Sequence, residues 1–180
     1  MNDTITGESS MREVLQVFPG AQRALFRKYH IGGCSSCGFG PEETLAGVCE
    51  RNGDLPVDEV IEKIQQSHEE DARILFEPTD LAKRLAKGED IRLVDIRSRE
   101  EFEAVHIDGS VLLTQPLMQE ILGSWDNDQR FVMIDHQGQK GLDAAAYYLG
   151  HGMPNVHALR GGIDAWSLEV DSSIRRYTLS

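Results

Sequence analysis

The sequence is poor in positive charge. Its 18 Lys and Arg face 30 Asp and Glu, for a net charge of −12. Nucleic-acid binding needs a basic face for phosphates, so that class of partner is not expected. Long apolar runs are also lacking: none approaches the roughly 20 residues that span a bilayer. The first ten residues, MNDTITGESS, have neither the basic start nor the apolar stretch of a secretory signal. The expected location is therefore cytoplasmic, with no membrane partner. Cysteine is sparse, limited to Cys34, Cys37 and Cys49. In a cytosolic chain a close pair such as Cys34/Cys37 points to redox, sulfur or metal chemistry before it points to a structural staple. No internal repeat is visible.

What is present suits a globular chain: 180 residues, 40% hydrophobic and 27% charged, enough for one full domain and a small second one. Residues 1–8 read as a disordered tail. Ser10-Met11-Arg12-Glu13 has the form of a capping box. Met11, Val14, Leu15 and Phe18 then mark one helical face, which Pro19-Gly20 ends. A second helix is predicted over Ala21 to Tyr29, with Arg23, Arg27 and Lys28 solvated. Gly32, Gly33, Gly38 and Gly40 surround the CxxC of Cys34 and Cys37 and allow a tight turn. Pro41-Glu42-Glu43 predicts a helix start, running to Arg51 and stopping at Asn52-Gly53. A fourth helix is predicted from Val57 to about Ser67, with Val60, Ile61 and Ile64 inward. HEEDAR, from His68 to Arg73, reads as a linker or a helix extension. Residues 9–70 thus form a small all-α domain.

From Phe76 the pattern changes to alternating strands and helices, which implies a mostly parallel sheet covered on both faces. A helix over Leu81 to Ala86 is capped by Thr79 or Asp80. Strands are predicted at Ile91 to Ile96, Val111 to Leu113, Phe131 to Ile134 and Val156 to Leu159. Helices are predicted at Arg99 to Val105, Pro116 to Leu122, from about Leu142 to Leu149, and from Gly161-Gly162 through Trp166. The domain is placed at 76–170, with 171–180 as a tail.

Its focus is FVMIDHQGQKGLDAAA, from Phe131 to Ala146. A buried strand stops at Asp135-His136-Gln137-Gly138-Gln139-Lys140-Gly141, and a helix follows. Converging loop N–H groups and the helix dipole make this geometry an anion cradle. Its first residue, Asp135, is itself an anion.

Three collinear segments carry a resemblance. LVDIRSREEFEAVHIDGS at 93–110, FVMIDHQGQKG at 131–141 and NVHALRGGIDAW at 155–166 resemble the rhodanese domain. The resemblance implies an α/β fold with a parallel sheet flanked by helices. It also implies a loop whose first position carries, in active members, the cysteine that holds sulfane sulfur as a persulfide. Here that position is Asp135, and the late basic position matches Lys140. No cysteine follows Cys49, so persulfide chemistry through this loop is not expected, nor is that of the related phosphatases, which need the same thiolate. By the same resemblance Asp95 and Arg97 are a structural ion pair behind the loop, and His106 is a core hydrogen-bonder. The N-terminal stretch VLQVFPGAQRALFRKYHIGGCSSCGFGPEETLAGVCERNG is similar to the small helical redox-disulfide domain associated with hybrid-cluster proteins, which implies thiol or disulfide chemistry at Cys34 and Cys37.

Each candidate has a bland alternative. Cys34 and Cys37 can form a reversible disulfide, carry a persulfide, bind half a metal site, or be incidental in a glycine turn. Zinc or an iron–sulfur group is the lesser alternative, because Cys49 reads as a core residue and His30 as a turn residue; otherwise no cofactor is expected. Asp135 reads as a structural cap of its loop, as part of a degenerate pocket for a cationic or protein ligand, or, least supported, as a general base or metal ligand with His136. Trp166 reads as core, and Gly161 and Gly162 as a tight strand-to-helix turn. The expected function is thiol redox or persulfide relay by Cys34 and Cys37, joined to a silent rhodanese-like docking or regulatory domain. A pure interaction protein and a sulfurtransferase using the N-terminal thiols are the alternatives. The expected partners are redox or sulfur-handling proteins, including iron–sulfur-related ones.

Overall fold

A computed structural model describes residues 4–32 and 38–178. The Cys34/Cys37 pair lies outside the described residues. The chain divides into two units, Met1–Arg73 and Ile74–Ser180.

The first unit is helical. Helix α1 (Met11–Val17) opens with the Ser10/Glu13 capping box and α2 (Ala21–Tyr29) follows. Helix α3 spans Leu45–Arg51 and α4 spans Val57–Ile74. Their apolar faces close on one core that includes Met11, Val14, Leu25, Leu45, Val48, Val60 and Ile64. Cys49 is 2% exposed in that core, and burial pushes its thiol pKa up.

Several expectations need correction here. Residues 4–8 are not a loose tail: Ile5 is buried, the Gly7 carbonyl accepts from the Ala46 N–H, and the Ser9 carbonyl accepts from the Leu45 N–H. These contacts satisfy donors that the start of α3 leaves open. Pro41 to Glu43 do not start α3. Thr44 does, its hydroxyl accepting from the Gly47 N–H at 3.1 Å. A side-chain cap outweighs a favourable proline here, and Glu43 instead pairs with Arg51. Of the two readings of HEEDAR, the helix extension holds: it is the last part of α4. Its Asp71 is buried and paired with Arg23, so Arg23 is not solvated.

The second unit is a five-stranded parallel sheet flanked by helices. The strands are β1 (Leu75–Phe76), β2 (Ile91–Asp95), β3 (Ser110–Leu112), β4 (Arg130–Ile134) and β5 (Val156–Leu159). Their order is β1-β5-β4-β2-β3, with β4 paired to both β2 and β5. Along β4, Val132 and Ile134 enter one core while Phe131 and Met133 enter the other. This is the period-2 alternation of a strand. Both faces are covered, so the strand reads as an unbroken apolar run.

The helices are α5 (Pro78–Ala86), α6 (Arg99–Ala104), α7 (Gln115–Gly123), α8 (Gln139–Gly150) and α9 (Gly162–Glu169). Helix α5 begins at Pro78 with Glu77 before it, and no side chain caps it, so neither Thr79 nor Asp80 does so. Proline at the first helical position supplies a preset φ where no N–H bond is needed. His106 is exposed, stacked on Phe102, and is not a core residue. The described part of the predicted tail, 171–178, is packed: Ile174 is buried and its carbonyl accepts from the Ser167 hydroxyl at 2.6 Å. Among the described residues no helix is long and apolar enough to cross a membrane.

Candidate functional site

The loop between β4 and α8 sits at the carboxyl end of the central strand, where ligands bind in open parallel sheets. Its first residue, Asp135, is 4% exposed. One carboxylate oxygen accepts the Gly138 N–H at 2.7 Å and the other accepts the Lys140 N–H at 2.9 Å. The cradle's donors are therefore turned on a side chain of the loop itself. Lys140 reaches Asp135 through its backbone, while its side chain is exposed. Gln137 and Gln139 are also exposed.

Burial pushes the Asp135 carboxyl pKa above its ordinary 3.8, while N–H groups of Gly138, Gly141 and Lys140 pull it back. The sign follows from proton linkage. Below pH 3.8 the group is protonated folded and unfolded, and contributes nothing. Between 3.8 and the raised folded value the folded state holds a proton the unfolded chain has lost, so stability falls as pH rises and levels off above the folded value. Asp135→Asn should remove that slope. In denaturant titrations, the stability difference between variant and wild type should be level at low pH and move in favour of the variant above 3.8. A difference independent of pH would contradict this.

Glycines set the loop's shape. Gly138 precedes α8 with φ +94, and a Cβ there would fall 2.6 Å from the Gly161 nitrogen. Gly162 has φ +61, and a Cβ there would fall 2.4 Å from the Asp135 carbonyl oxygen. That closeness lets the start of α9 donate into the loop: Ile163 N–H to the Asp135 carbonyl at 2.9 Å, and Asp164 N–H to the His136 carbonyl at 3.1 Å. The loop is thus held from two helix N-termini.

Beside the loop, Asp95 and Arg97 form a buried pair, with N···O distances of 2.6, 3.0 and 3.1 Å. Arg97 also donates to the Val105 carbonyl at 2.8 Å and to the Tyr177 hydroxyl at 2.9 Å. Burial works against its charge, but the bonds to Asp95 and Tyr177 outweigh that and raise its pKa. His136 is half-buried; its Nε2 lies 3.0 Å from the Tyr177 carbonyl and its ring stacks on the Tyr177 ring at 4.3 Å. Sequence reasoning missed Tyr177, together with Glu101 and Asp164. The available signal was the pair Ile174 and Tyr177, two apolar rings or chains in an otherwise polar ending.

The structure therefore brings together Asp135, His136, Gly138, Lys140, Gly141, Asp95 and Arg97. Cys34 and Cys37 lie outside the described residues. Among the described residues no three of His, Cys, Asp and Glu gather as a metal site requires. An open cleft of about 450 Å³, lined by Glu89, Asp90, Asp126, Asp128, Gln129 and Arg130, lies at the opposite end of the strands, away from the loop.

Comparison with known proteins places this geometry. Over 82 residues the chain is 30% identical to the thiosulfate sulfurtransferase GlpE of Shewanella oneidensis, covering 46% of this chain and 81% of that protein. It is 34% identical over 74 residues to GlpE of Pseudomonas syringae pv. syringae, covering 41% and 70%. The solved structure of the human single domain sulfurtransferase TSTD1 superposes with a TM-score of 0.48 at 22% identity, covering 53% of this chain and 96% of that one. The family model of the rhodanese-like domain matches residues 77–169. Through that segment, more than half of its length, the chain belongs to the rhodanese-like domain family.

Proposed function

We propose that this protein relays sulfur or electrons through Cys34 and Cys37, and that its rhodanese-like domain serves docking or regulation in place of persulfide chemistry. The curated relatives, thiosulfate sulfurtransferases by name, support a sulfur-transfer-related role. The observation that carries the finer reading is Asp135: a carboxylate stands where the resemblance puts the sulfur-accepting cysteine, and its oxygens take the Gly138 and Lys140 N–H groups. A carboxylate does not take sulfane sulfur as a persulfide. The nucleophile must then be one of the N-terminal cysteines, since none follows Cys49 and Cys49 is buried with a raised pKa.

In the relay, the Cys34 thiolate attacks the outer sulfur of a persulfide donor and the donor leaves as its thiolate. An acceptor thiolate then attacks that sulfur, and Cys34 leaves as thiolate. No net electrons move. In the redox form, Cys34 attacks a partner disulfide and Cys37 resolves the mixed disulfide, oxidising the pair and reducing the partner. Redox or sulfur-handling proteins, including iron–sulfur-related ones, are the partners this chemistry calls for.

Cys34→Ser should abolish sulfur or disulfide exchange, and Asp135→Ala should leave it in place. Exchange that persists in Cys34→Ser would remove the relay reading. The relatives' names favour one second reading, a thiosulfate sulfurtransferase acting through the same thiols. Thiosulfate-dependent thiocyanate formation that is lost in Cys34→Ser would select it.

A further inference from the structure

We infer that the segment Asp171 to Tyr177 is a self-docked strap whose end, Arg176 and Tyr177, covers His136 in the β4–α8 loop and lifts, without unfolding the domain, to bare it. The segment follows the part of the chain that the family model matches, which ends at residue 169. Its contacts concentrate on His136 and on the residues around the loop, Arg97, Glu101, Asp164 and Ser167.

The strap has a firm end and a light end. At the firm end Ile174 is buried in the core beside Trp166 and held by the Ser167 hydroxyl. The light end is Arg176 and Tyr177. The Tyr177 ring lies on His136 at 15° to its plane, and its carbonyl meets the His136 Nε2. Its hydroxyl donates to Glu101 at 2.6 Å and accepts from Arg97 at 2.9 Å. Arg176 pairs with Asp164 at 2.6 and 2.9 Å, the residue whose N–H holds the His136 carbonyl. The crevice this leaves between His136, Asp164, Ser167 and Tyr177 has no interior room for a water molecule.

Two properties make this end releasable. Its ion pair is exposed on the Arg176 side, 52%, and exposed pairs are weak. Its other contacts are one stack and a few hydrogen bonds, with no apolar side chain beyond Ile174 sunk in the core. Segments of this kind open far more often than the domain unfolds. Of the groups under Tyr177, Arg97 is also held by Asp95, Glu101 by the Ser98 N–H, and the His136 backbone by the Asp164 N–H. Lifting the strap therefore bares a formed face, with the His136 imidazole at its centre. That this face receives a partner rests on the docking reading above; the strap itself does not.

The test uses the full chain. Carbethoxylation of His136, followed by peptide mass spectrometry, reads access to its ring. Tyr177→Ala should raise that rate about fivefold or more, and Arg176→Ala should raise it less, with amide exchange in β4 and α8 unchanged. Tyr177→Phe keeps the stack and should stay near wild type. In wild type, amides of residues 175–177 should exchange well before those of β4. The inference is overturned if His136 reactivity stays within about twofold of wild type in both Tyr177→Ala and Arg176→Ala, or if residues 175–177 exchange only with global unfolding. Cysteine chemistry plays no part in these readouts, so their failure is separable from failure of the relay.

Discussion

Arg97→Ala is expected to destabilise the α/β unit by about 3–5 kcal/mol, the usual cost of leaving one member of a buried ion pair alone. The Asp95 and Arg97 side chains are 0% and 2% exposed. Truncating Arg97 strands the Asp95 carboxylate in the interior, with only the residue-97 N–H still bonded to it at 3.0 Å. It also orphans the Val105 carbonyl and removes one partner of the Tyr177 hydroxyl. Replacing both charges, as Asp95→Leu with Arg97→Met, should restore much of the loss, because the penalty lies in the unpaired charge more than in the missing pair. Denaturant titration of both variants checks this. A single-variant loss under about 1 kcal/mol, the range of an exposed pair, would contradict the buried pairing.

Gly162→Ala is expected to cost about 2–4 kcal/mol, summing a left-handed backbone penalty and the loss of one or two hydrogen bonds. Its φ is +61, and a Cβ would meet the Asp135 carbonyl oxygen at 2.4 Å and the His136 carbonyl carbon and oxygen at 2.6 Å. All three are backbone atoms and cannot rotate aside. The start of α9 must back away from the loop, breaking the bonds from Ile163 and Asp164. Gly109→Ala separates the two causes. Its φ is +78 but nothing lies within 4 Å of an added Cβ, so only the backbone penalty of about 1–2 kcal/mol applies. Equal losses in the two variants would mean that the close approach between α9 and the loop carries no energy. The Gly162 variant should also loosen Asp135 and His136, seen as faster amide exchange across 136–140.

The sheet and the loop were legible because their signals are local and dense. Apolar β4 ends abruptly at Asp135, and Gly138 follows where the backbone turns left-handed at φ +94. Boundaries set by contacts distant in sequence were not legible. Nothing around Pro41 reveals that Thr44 will cap α3 while the Ser9 carbonyl takes the Leu45 N–H. Strand β1 has two residues, too few for any periodicity. HEEDAR reads equally as a linker or a helix extension until Asp71 pairs with Arg23, far back in the sequence on α2. Within the site, Asp135 was visible as the loop's first residue, and the pairing of its two oxygens with Gly138 and Lys140 follows from the turn. Tyr177 was visible only as a ring in a polar ending, without its partner. Its role depends on a return of the chain to His136 across 41 positions, and a polar ending such as DSSIRRYT carries no sign of where it will dock.

The central claim is that the reactive sulfur chemistry resides in the N-terminal pair and not in the rhodanese-like loop. The most direct test is peptide-resolved mass spectrometry of anaerobically purified protein, before and after a persulfide donor. The predicted result is added sulfur on Cys34, or a Cys34–Cys37 disulfide where the Cys37 thiolate attacks the inner sulfur of the Cys34 persulfide and hydrosulfide leaves, with an unmodified peptide around Asp135. A Cys34/Cys37 peptide of unchanged mass under every donor and oxidant would contradict it, and would leave the chain as an interaction module built on a silent rhodanese-like fold.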